Sequence, residues 1–367
     1  FRFSYLCSVN FFLSLINFMK ITKTISSRID SVDFSDLPFG RIFSDHMLRA
    51  EFSLGSWGEL EIIPYGPISF NPSLQALHYG QSIFEGMKAF KNKDNELLLF
   101  RKEENLKRMN RSAERLSIPK IPEFFFTEGL EKLLSIDNNW CSPEDGYSLY
   151  IRPFIFASSD CIKASSSDKF TFIVITSPTF NYYDGEINLI IEQKYTRASK
   201  GGVGFTKAAG NYASSFYPTK LANSKGFQQV IWTDSYHHNY IEECGTMNIW
   251  FRIGDSLYTP EISDTILKGI TRDSVIRIAS DSGIKVYEEK ISIENIIQAY
   301  KSGELLEVFG SGTAVSISPI SSITFNDFKM KFNNSDDSYA NTFKAKLQNI
   351  QRGIDEDKYS WISKIKG

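Results

Sequence analysis

The stretch Gly201-Gly-Val-Gly-Phe-Thr-Lys207-Ala-Ala-Gly-Asn-Tyr212 sets one lysine among glycines, with a tyrosine five residues later. A lysine amine becomes a good nucleophile toward an aldehyde only when it is held still and its pKa is lowered. Glycines on either side let a flat cofactor lie against the backbone beside that amine. Together with the acidic segment Glu242-Glu-Cys-Gly-Thr-Met-Asn248, this pattern indicates a pyridoxal phosphate (PLP) enzyme.

The chemistry of PLP makes four demands on a protein. It needs a lysine that forms a Schiff base, an acid that keeps the pyridine nitrogen protonated, a donor near the phenolic oxygen, and an anion cradle for the phosphate. Lys207 is the candidate for the first demand. The second requires a carboxylate, because only a negative partner favours the pyridinium. Glu243, just before the turn-forming Gly245 and Thr246, competes here with Glu242, since a strand would point the two to opposite faces.

Two segments are candidates for the phosphate cradle, which is expected at free backbone amides near a small hydroxyl or an arginine. In the segment 267–272 (LKGITR), Gly269 precedes a run that can form a helix. The glycine-rich turn 309–314 (FGSGTA) offers a second set of amides and a hydroxyl. The residues by themselves leave both segments open.

The composition narrows the class of protein. At 367 residues the chain fits two domains better than one, and its 42% apolar and 23% charged content is ordinary for a globular enzyme. The 41 basic residues nearly balance the 43 acidic ones, which argues against nucleic acid as a partner. The cysteines and histidines show no metal-ligand spacing, so we expect reduced thiols, a cytoplasmic location and no structural metal.

The first stretch of the chain, 1–18, is apolar but is interrupted by serines and asparagines. It shows neither a basic region nor a small-residue cleavage site of a signal peptide. It is also too polar for a spanning helix, so no membrane association is expected. Met19 resembles a natural start, and we interpret 1–18 as a disordered upstream extension.

Hydrophobic periodicity divides the remainder into two α+β domains. Strands are predicted at 97–100, 170–176, 187–191, 229–232 and 249–253, the last as a hairpin through Gly254 and Asp255. Helices are predicted over 103–117 and along Phe343, Leu347, Ile350 and Ile354, and 326–338 is predicted to be a mobile loop. The pattern stops near residues 181–185. We therefore place domains at 19–181 and 187–367, a linker at 182–186, and the cofactor in the cleft between the domains.

Several segments resemble those of branched-chain amino acid aminotransferases, which are class IV, fold type IV PLP enzymes. They follow one order from about residue 36 to Trp361: 39–47 (FGRIFSDHM), 77–90 (LHYGQSIFEGMKAF), 149–153 (LYIRP), 207–212, 243–248, 269–272 and 310–314. FEGMKAF and YIRP are distinctive of the branched-chain branch. The resemblance implies a small N-terminal α/β domain, a larger mixed α/β barrel-like domain, and a homodimer with the site near the interface.

The resemblance also implies roles around the cofactor. Lys207 matches the Schiff-base lysine, and Glu243, rather than Glu242, matches the partner of the pyridine nitrogen. Tyr212 matches the tyrosine that bonds the phenolic oxygen. The remaining cofactor-binding residues, most of them toward the phosphate, are expected to be Arg108, Thr246, Ile270, Thr271 and Thr313.

Substrate contacts follow from the same resemblance. The amides of Thr313 and Ala314, with the hydroxyl of Tyr79, resemble the grip on the α-carboxylate. Arg152 resembles the residue that pairs with the distal carboxylate of glutamate, an optional charge at the edge of a pocket that also accepts aliphatic chains. The apolar wall around the branched side chain is expected to consist of Phe39, Phe84, Tyr150 and Tyr182.

The implied reaction is a reversible ping-pong transfer of the amino group of L-leucine, L-isoleucine or L-valine to 2-oxoglutarate, through a Schiff base of Lys207. A D-amino acid aminotransferase and a 4-amino-4-deoxychorismate lyase share this fold, but FEGMKAF and YIRP argue against both. A non-catalytic PLP-binding protein is the alternative from another class. Val315 and Ser318 stand where some relatives carry a CxxC redox pair, so no thiol switch is expected there, and Cys244 is expected to be a buried spectator.

Overall fold

The computed structural model describes residues 19–180, 185–333 and 335–365. Within these ranges, β-sheets and α-helices form an α+β arrangement, so the predicted fold class is confirmed. The predicted extension 1–18, Tyr182 and most of the predicted linker 182–186 lie outside the described residues. The domain boundaries therefore stay a prediction.

The strands and helices follow one another along the whole described chain. The strands are β1 (Met19–Ile21), β2 (His46–Ser53), β3 (Ser56–Trp57), β4 (Leu60–Pro64), β5 (Ser82–Phe84), β6 (Met87–Lys91), β7 (Leu97–Phe100), β8 (Ser148–Ala157), β9 (Phe170–Thr179), β10 (Asn188–Ile191), β11 (Gln229–Thr233), β12 (Tyr240–Cys244), β13 (Asn248–Ile253), β14 (Ser256–Pro260), β15 (Val286–Glu289), β16 (Ile291–Ser292), β17 (Leu305–Gly312), β18 (Ser316–Pro319), β19 (Ser322–Phe325), β20 (Phe328–Lys331) and β21 (Ile362–Ile365). The α-helices are α1 (Gln75–Tyr79), α2 (Lys102–Arg115), α3 (Leu130–Ile136), α4 (Ala209–Ala213), α5 (Phe216–Ser224), α6 (Ile270–Asp281), α7 (Ile293–Lys301) and α8 (Tyr339–Gln351).

Three sheets organise the described residues. The first runs β1-β4-β2-β9-β8-β6-β7-β21, with β3 beside β2 and β5 beside β8. The second runs β16-β12-β11-β10-β19-β20, and the third runs β15-β14-β13-β17-β18. Helices α2 and α3 pack on the first sheet, and α6 and α8 pack on the third. The C-terminal strand β21 thus joins a sheet built otherwise from the N-terminal half, by pairing antiparallel to β7.

The predicted helix 103–117 is confirmed as α2. Met109 and Ala113 lie on one face of α2 and are fully buried against the first sheet, as the helical spacing of apolar residues requires. The predicted hairpin through Gly254 is also confirmed, because β13 and β14 pair on either side of it. No helix in the described ranges is long and apolar enough to cross a membrane.

Two predictions about the C-terminal region were wrong in part. The last helix ends at Gln351, because Gly353 adopts a left-handed φ of 65° and the chain reverses there. Ile354 therefore leaves the apolar stripe and is 51% exposed. The predicted loop 326–338 contains strand β20, which pairs with β19 and buries Met330 completely. Polar neighbours hid this short alternating strand.

Candidate active site

A cavity of about 640 Å³ opens where β5, β8, α4 and the start of α6 come together. It brings together nearly all the residues that the sequence predicted: Phe39, Phe84, Arg108, Tyr150, Arg152, Lys207, Tyr212, Glu243, Thr246, Ile270, Thr271, Thr313 and Ala314. These residues come from segments far apart in the chain. A cavity of this size accepts a small cofactor together with a small substrate.

Lys207 is held by its backbone from two elements of the N-terminal half. Its carbonyl accepts a hydrogen bond from the amide of Phe84 at 3.1 Å, and its amide donates to the hydroxyl of Ser112 on α2 at 3.0 Å. The side chain then enters the cavity, where Nζ lies 2.7 Å from the hydroxyl of Tyr212. Lys207 is therefore held both at its backbone and at its amine, as a nucleophile must be.

Aromatic rings surround the Lys207 amine. Its Nζ lies 4.8 Å from the ring centroid of Phe84 and 5.1 Å from that of Tyr212. The two rings meet edge to face with centroids 4.6 Å apart. Tyr212 lies on α4, which begins two residues after Lys207, so the tight turn into this helix brings the phenol back to the amine.

Glu243 lies at the end of β12 and is almost fully buried in an ion pair. Its Oε2 lies 2.8 Å from Nε of Arg197, and its Oε1 accepts the backbone amide of Leu267 at 2.8 Å. Burial raises the pKa of Glu243, whereas the Arg197 guanidinium opposes that rise. This buried carboxylate is therefore supported electrostatically by an arginine that also lines the cavity.

The rival carboxylate, Glu242, points elsewhere. Alternation along β12 places it on the opposite face, where its Oε1 accepts the hydroxyl of Thr265 at 2.5 Å. Its other oxygen, Oε2, is buried and has no hydrogen-bond partner among the described residues. Burial raises the pKa of Glu242 to about 7. Glu242 does not line the cavity, which favours Glu243 as the functional carboxylate.

The start of α6 and Arg108 form the cationic end of the cavity. Gly269 precedes the helix, and no side chain caps its first amides, so these amides are available to an anion. A Cβ on Gly269 would lie 2.0 Å from Oδ1 of Asn248, so only glycine fits there. Arg108 reaches the same place from α2, because its Nη1 donates to the carbonyl of Lys268 at 3.2 Å.

Arg108 owes its position to Glu85, a fully buried carboxylate. Nε and Nη2 of Arg108 lie 2.7 and 2.8 Å from the two carboxylate oxygens, a bidentate geometry. The amide of Asn105 donates to the same carboxylate at 2.8 Å. Burial by itself raises the pKa of Glu85, but Arg108, with smaller contributions from Lys207 and Asn105, outweighs it and the net shift is downward. The pair therefore stays charged in the protein interior.

The opposite end of the cavity is aromatic, with one arginine. The rings of Phe39 and Tyr150 meet edge to face with centroids 5.0 Å apart. The guanidinium of Arg152 lies 4.7 Å from the centroid of the Phe84 ring, and its Nη2 donates to the hydroxyl of Tyr150 at 3.0 Å. Its Nε is buried and has no hydrogen-bond partner in the described part of the chain. A cation of this kind can receive a carboxylate and can also remain against aromatic faces without one.

One predicted residue is not brought to this cavity. Tyr79, at the end of the short helix α1, is 45% exposed, and its hydroxyl donates to the carbonyl of Ile162. It does not line the cavity of its own chain. Tyr182 lies outside the described residues. Cys244 is fully buried and burial raises the pKa of its thiol, in line with the expected spectator.

Arg197 and Glu85 were not identified from the sequence. Arg197 lies four residues before the glycine-rich segment 201–204, but nothing in the sequence around it indicated its pairing with Glu243. Glu85 lies inside the FEGMKAF segment, but nothing in that segment indicates that its carboxylate turns inward to Arg108.

The assembled groups satisfy the demands of PLP. A fixed amine, a buried carboxylate and a phenol surround the middle of the cavity, and a helix start with an arginine forms one end of it. The first amides of α6 have no side-chain cap, and Gly269 before them has no room for a Cβ. A phosphate fits this kind of site. The residues present therefore fit this cofactor.

Comparison with known proteins agrees with this geometry. The family model of amino-transferase class IV matches residues 82–323. A probable branched-chain-amino-acid aminotransferase of Staphylococcus aureus (strain N315) is 43% identical over 336 residues, which cover 89% of this chain and 93% of the relative.

Solved structures share the fold. The branched-chain aminotransferase of Thermoproteus uzoniensis with norvaline has a TM-score of 0.73 at 22% identity, covering 88% of this chain and 100% of that one. The PLP form of the enzyme from Thermobaculum terrenum has a TM-score of 0.70 at 19% identity, with 88% and 99% covered. With the family match and the identity of its relatives, this chain belongs to the class IV, PLP-dependent aminotransferases, in the branched-chain-amino-acid aminotransferase family.

Proposed function

We propose that this chain transfers the amino group of L-leucine, L-isoleucine or L-valine reversibly to 2-oxoglutarate. One observation carries the proposal: a single cavity joins the Lys207 amine and the Glu243 carboxylate to an aromatic wall that contains one arginine, Arg152. Such a wall suits an aliphatic side chain in one half-reaction and the distal carboxylate of glutamate in the other.

The residues divide the work on the cofactor. When bound, PLP supplies an electron sink for the substrate's α-carbon. Lys207 would hold the cofactor covalently, and its free amine would carry the substrate's α-proton on Nζ. Glu243 would keep the ring nitrogen protonated, and the Tyr212 hydroxyl would donate to the phenolic oxygen. Arg108, Thr246, Ile270, Thr271 and Thr313 are proposed as the other cofactor contacts, most of them at the phosphate.

Other residues hold the substrate. The amides of Thr313 and Ala314 bind the α-carboxylate, and Arg152 binds the distal carboxylate. The partnerless Nε of Arg152 supports this role, because a buried donor without an acceptor is costly. The branched side chain packs against Phe39, Phe84 and Tyr150, and Tyr182 stays a predicted member of this wall.

We also propose a homodimer in which Tyr79 serves the cavity of a second copy. In its own chain Tyr79 lies away from the cavity, beside Leu77 and Ile162, which are 72% and 69% exposed. Apolar side chains exposed together are typical of an interface. Light scattering tests this assembly, and a monomeric wild-type protein would refute it. A cytoplasmic location, expected from the reduced thiols, belongs to the same proposal.

A spectroscopic titration tests the proposed reaction. The purified protein, loaded with PLP, is titrated with L-leucine and separately with D-alanine while its ultraviolet–visible spectrum is followed. We expect L-leucine alone to convert the yellow enzyme to the pyridoxamine form and 2-oxoglutarate to reverse the change. Conversion by D-alanine alone would instead indicate a D-amino acid aminotransferase. A yellow protein whose spectrum changes with neither amino acid would indicate a 4-amino-4-deoxychorismate lyase or a non-catalytic PLP-binding protein.

A further inference from the structure

Lys88 lies behind the turn that carries Thr313 and Ala314. We propose that Lys88 is a positioning residue for the substrate's α-carboxylate, because it holds this turn in place and brings a positive charge to it. The inference rests on the proposed function, in which the amides of that turn bind the carboxylate. Lys88 itself does not line the cavity that contains Lys207.

The strand register sends Lys88 toward the turn. In β6, Lys88 pairs with Tyr150 of β8, and cross-strand partners project from the same face of a sheet. Tyr150 lines the cavity of Lys207, whereas Lys88 lines a second cavity of about 610 Å³. Residues 312–315 line both cavities and so form a thin wall between them. From the second cavity, Nζ of Lys88 donates a hydrogen bond to this wall, at the carbonyl of Ala314, with a distance of 3.0 Å.

The turn needs such support. Gly312 and Ser316 are the last paired residues of β17 and β18, so residues 313–315 form a three-residue loop between the strands. Ser316 adopts a φ of 59°, in the left-handed region, which is typical after loops of this length. Among the described side chains, Lys88 and Ser318 donate hydrogen bonds to the carbonyls of this loop. Lys88 makes the shorter bond, and it is the charged one.

Among the described residues, no carboxylate is paired with the charge of Lys88. The charged groups that line its cavity are Lys344 and Arg352, with Asp145, which pairs with Arg352 at 3.2 Å. Burial, together with the charge of Lys344, lowers the pKa of Lys88 to about 8. A carboxylate bound on the other side of the thin wall would offset this unfavourable environment. Binding of the anion and the charge of Lys88 should therefore favour each other.

The test compares a carboxylate with its neutral counterpart. Calorimetry on the PLP-loaded protein at pH 7 gives Kd for 4-methylpentanoate, which has leucine's carbon skeleton without the amine, and for 4-methylpentanamide. In Lys88→Met we expect the acid to bind about tenfold more weakly and the amide to change by less than about twofold. KM for L-leucine should rise by a similar factor with kcat nearly unchanged.

Three further variants sharpen the test. Lys88→Arg keeps the charge and should restore most of the acid binding, and Lys88→Gln keeps a donor without charge and should behave like Lys88→Met. Lys344→Met, in the same cavity, should leave both Kd values within about twofold of wild type. Acid binding by Lys88→Met and Lys88→Gln within twofold of wild type, or an equal loss for acid and amide, would overturn the inference. If the wild-type protein also fails to convert L-leucine, the proposed function is refuted as well. If the wild-type protein does convert L-leucine, only the inference about Lys88 is refuted.

Discussion

Replacing Arg197 with methionine tests whether Glu243 depends on one buried ion pair. The side chains of Arg197 and Glu243 are 6% and 4% exposed, so solvent screens this pair little. Arg197 also donates to the carbonyls of Gly204 and Thr265. Methionine occupies similar space without charge or donors. We expect the Arg197→Met variant to lose about 4 kcal/mol of the free energy of unfolding and to bind PLP at least roughly tenfold more weakly.

The magnitude follows from the contacts. Removing one partner of a buried pair costs roughly 3–5 kcal/mol, because the other charge stays buried and unpaired. Carbonyls that lose their donor add roughly 1–3 kcal/mol. Glu243 can recover part of this by taking up a proton, since burial already raises its pKa. A carboxyl group whose pKa is raised in the folded state contributes stability that is lost as the pH rises through that pKa. The free energy of unfolding of the variant should therefore be smaller at pH 8 than at pH 6.

The assay is urea unfolding of the cofactor-free protein at both pH values, followed by tryptophan fluorescence, with PLP titrations alongside. The matched control adds Glu243→Gln to the variant. Because the double variant removes both charges of the pair, it should recover part of the lost stability, and its stability should fall less between pH 6 and 8 than that of the single variant. An Arg197→Met variant that loses less than about 1 kcal/mol at pH 8 would refute the reasoning, as would a double variant no more stable than the single one.

Three other variants address separate parts of the site. Lys207→Ala should abolish turnover of L-leucine while PLP still binds noncovalently, and full turnover would contradict the role of the amine. Arg152→Ala should raise KM for glutamate and 2-oxoglutarate roughly tenfold but KM for leucine less than about threefold; equal losses would reject its role. Burial raises the pKa of Glu242 to about 7, so its protonated form stabilises the fold and roughly 2 kcal/mol is lost as pH rises through 7. Glu242→Gln should remove this loss, and urea midpoints that fall in parallel for variant and wild type from pH 5 to 8 would contradict it.

Much of the site could be predicted because its chemistry is local in sequence. Lys207 and Tyr212 are five residues apart, at the turn that leads into helix α4. Glu243 lies just before a turn, which Gly245 indicates in the sequence. The supporting charges could not be predicted. Arg197 reaches Glu243 across the fold, and Glu85 turns inward to pair with Arg108 on a helix that follows it. Ion pairs of this kind depend on tertiary packing and leave no periodic pattern.

Tyr79 shows a second limit of sequence reasoning. It lies five residues before Phe84, yet the intervening turn sends Phe84 into the cavity and leaves Tyr79 on the surface. A motif gives the order of residues along the chain but not which cavity each side chain faces. The prediction of where the last helix ends was wrong for a similar reason. Ile354 continues the apolar periodicity of the helix, but the left-handed Gly353 before it ends the helix.

The pairing of β21 with β7 has a consequence for how the chain folds during synthesis. Lys364 of β21 bonds to Glu96, just before β7, and the two residues are 268 positions apart. The buried strand β7 has β21 as its neighbour on this side, so the edge stays open on the ribosome until β21 emerges, on the order of tens of seconds later. An open apolar edge can pair with another nascent chain. The yield of native protein should therefore depend on chaperones that shield this edge, and truncations that remove β21 should aggregate rather than fold.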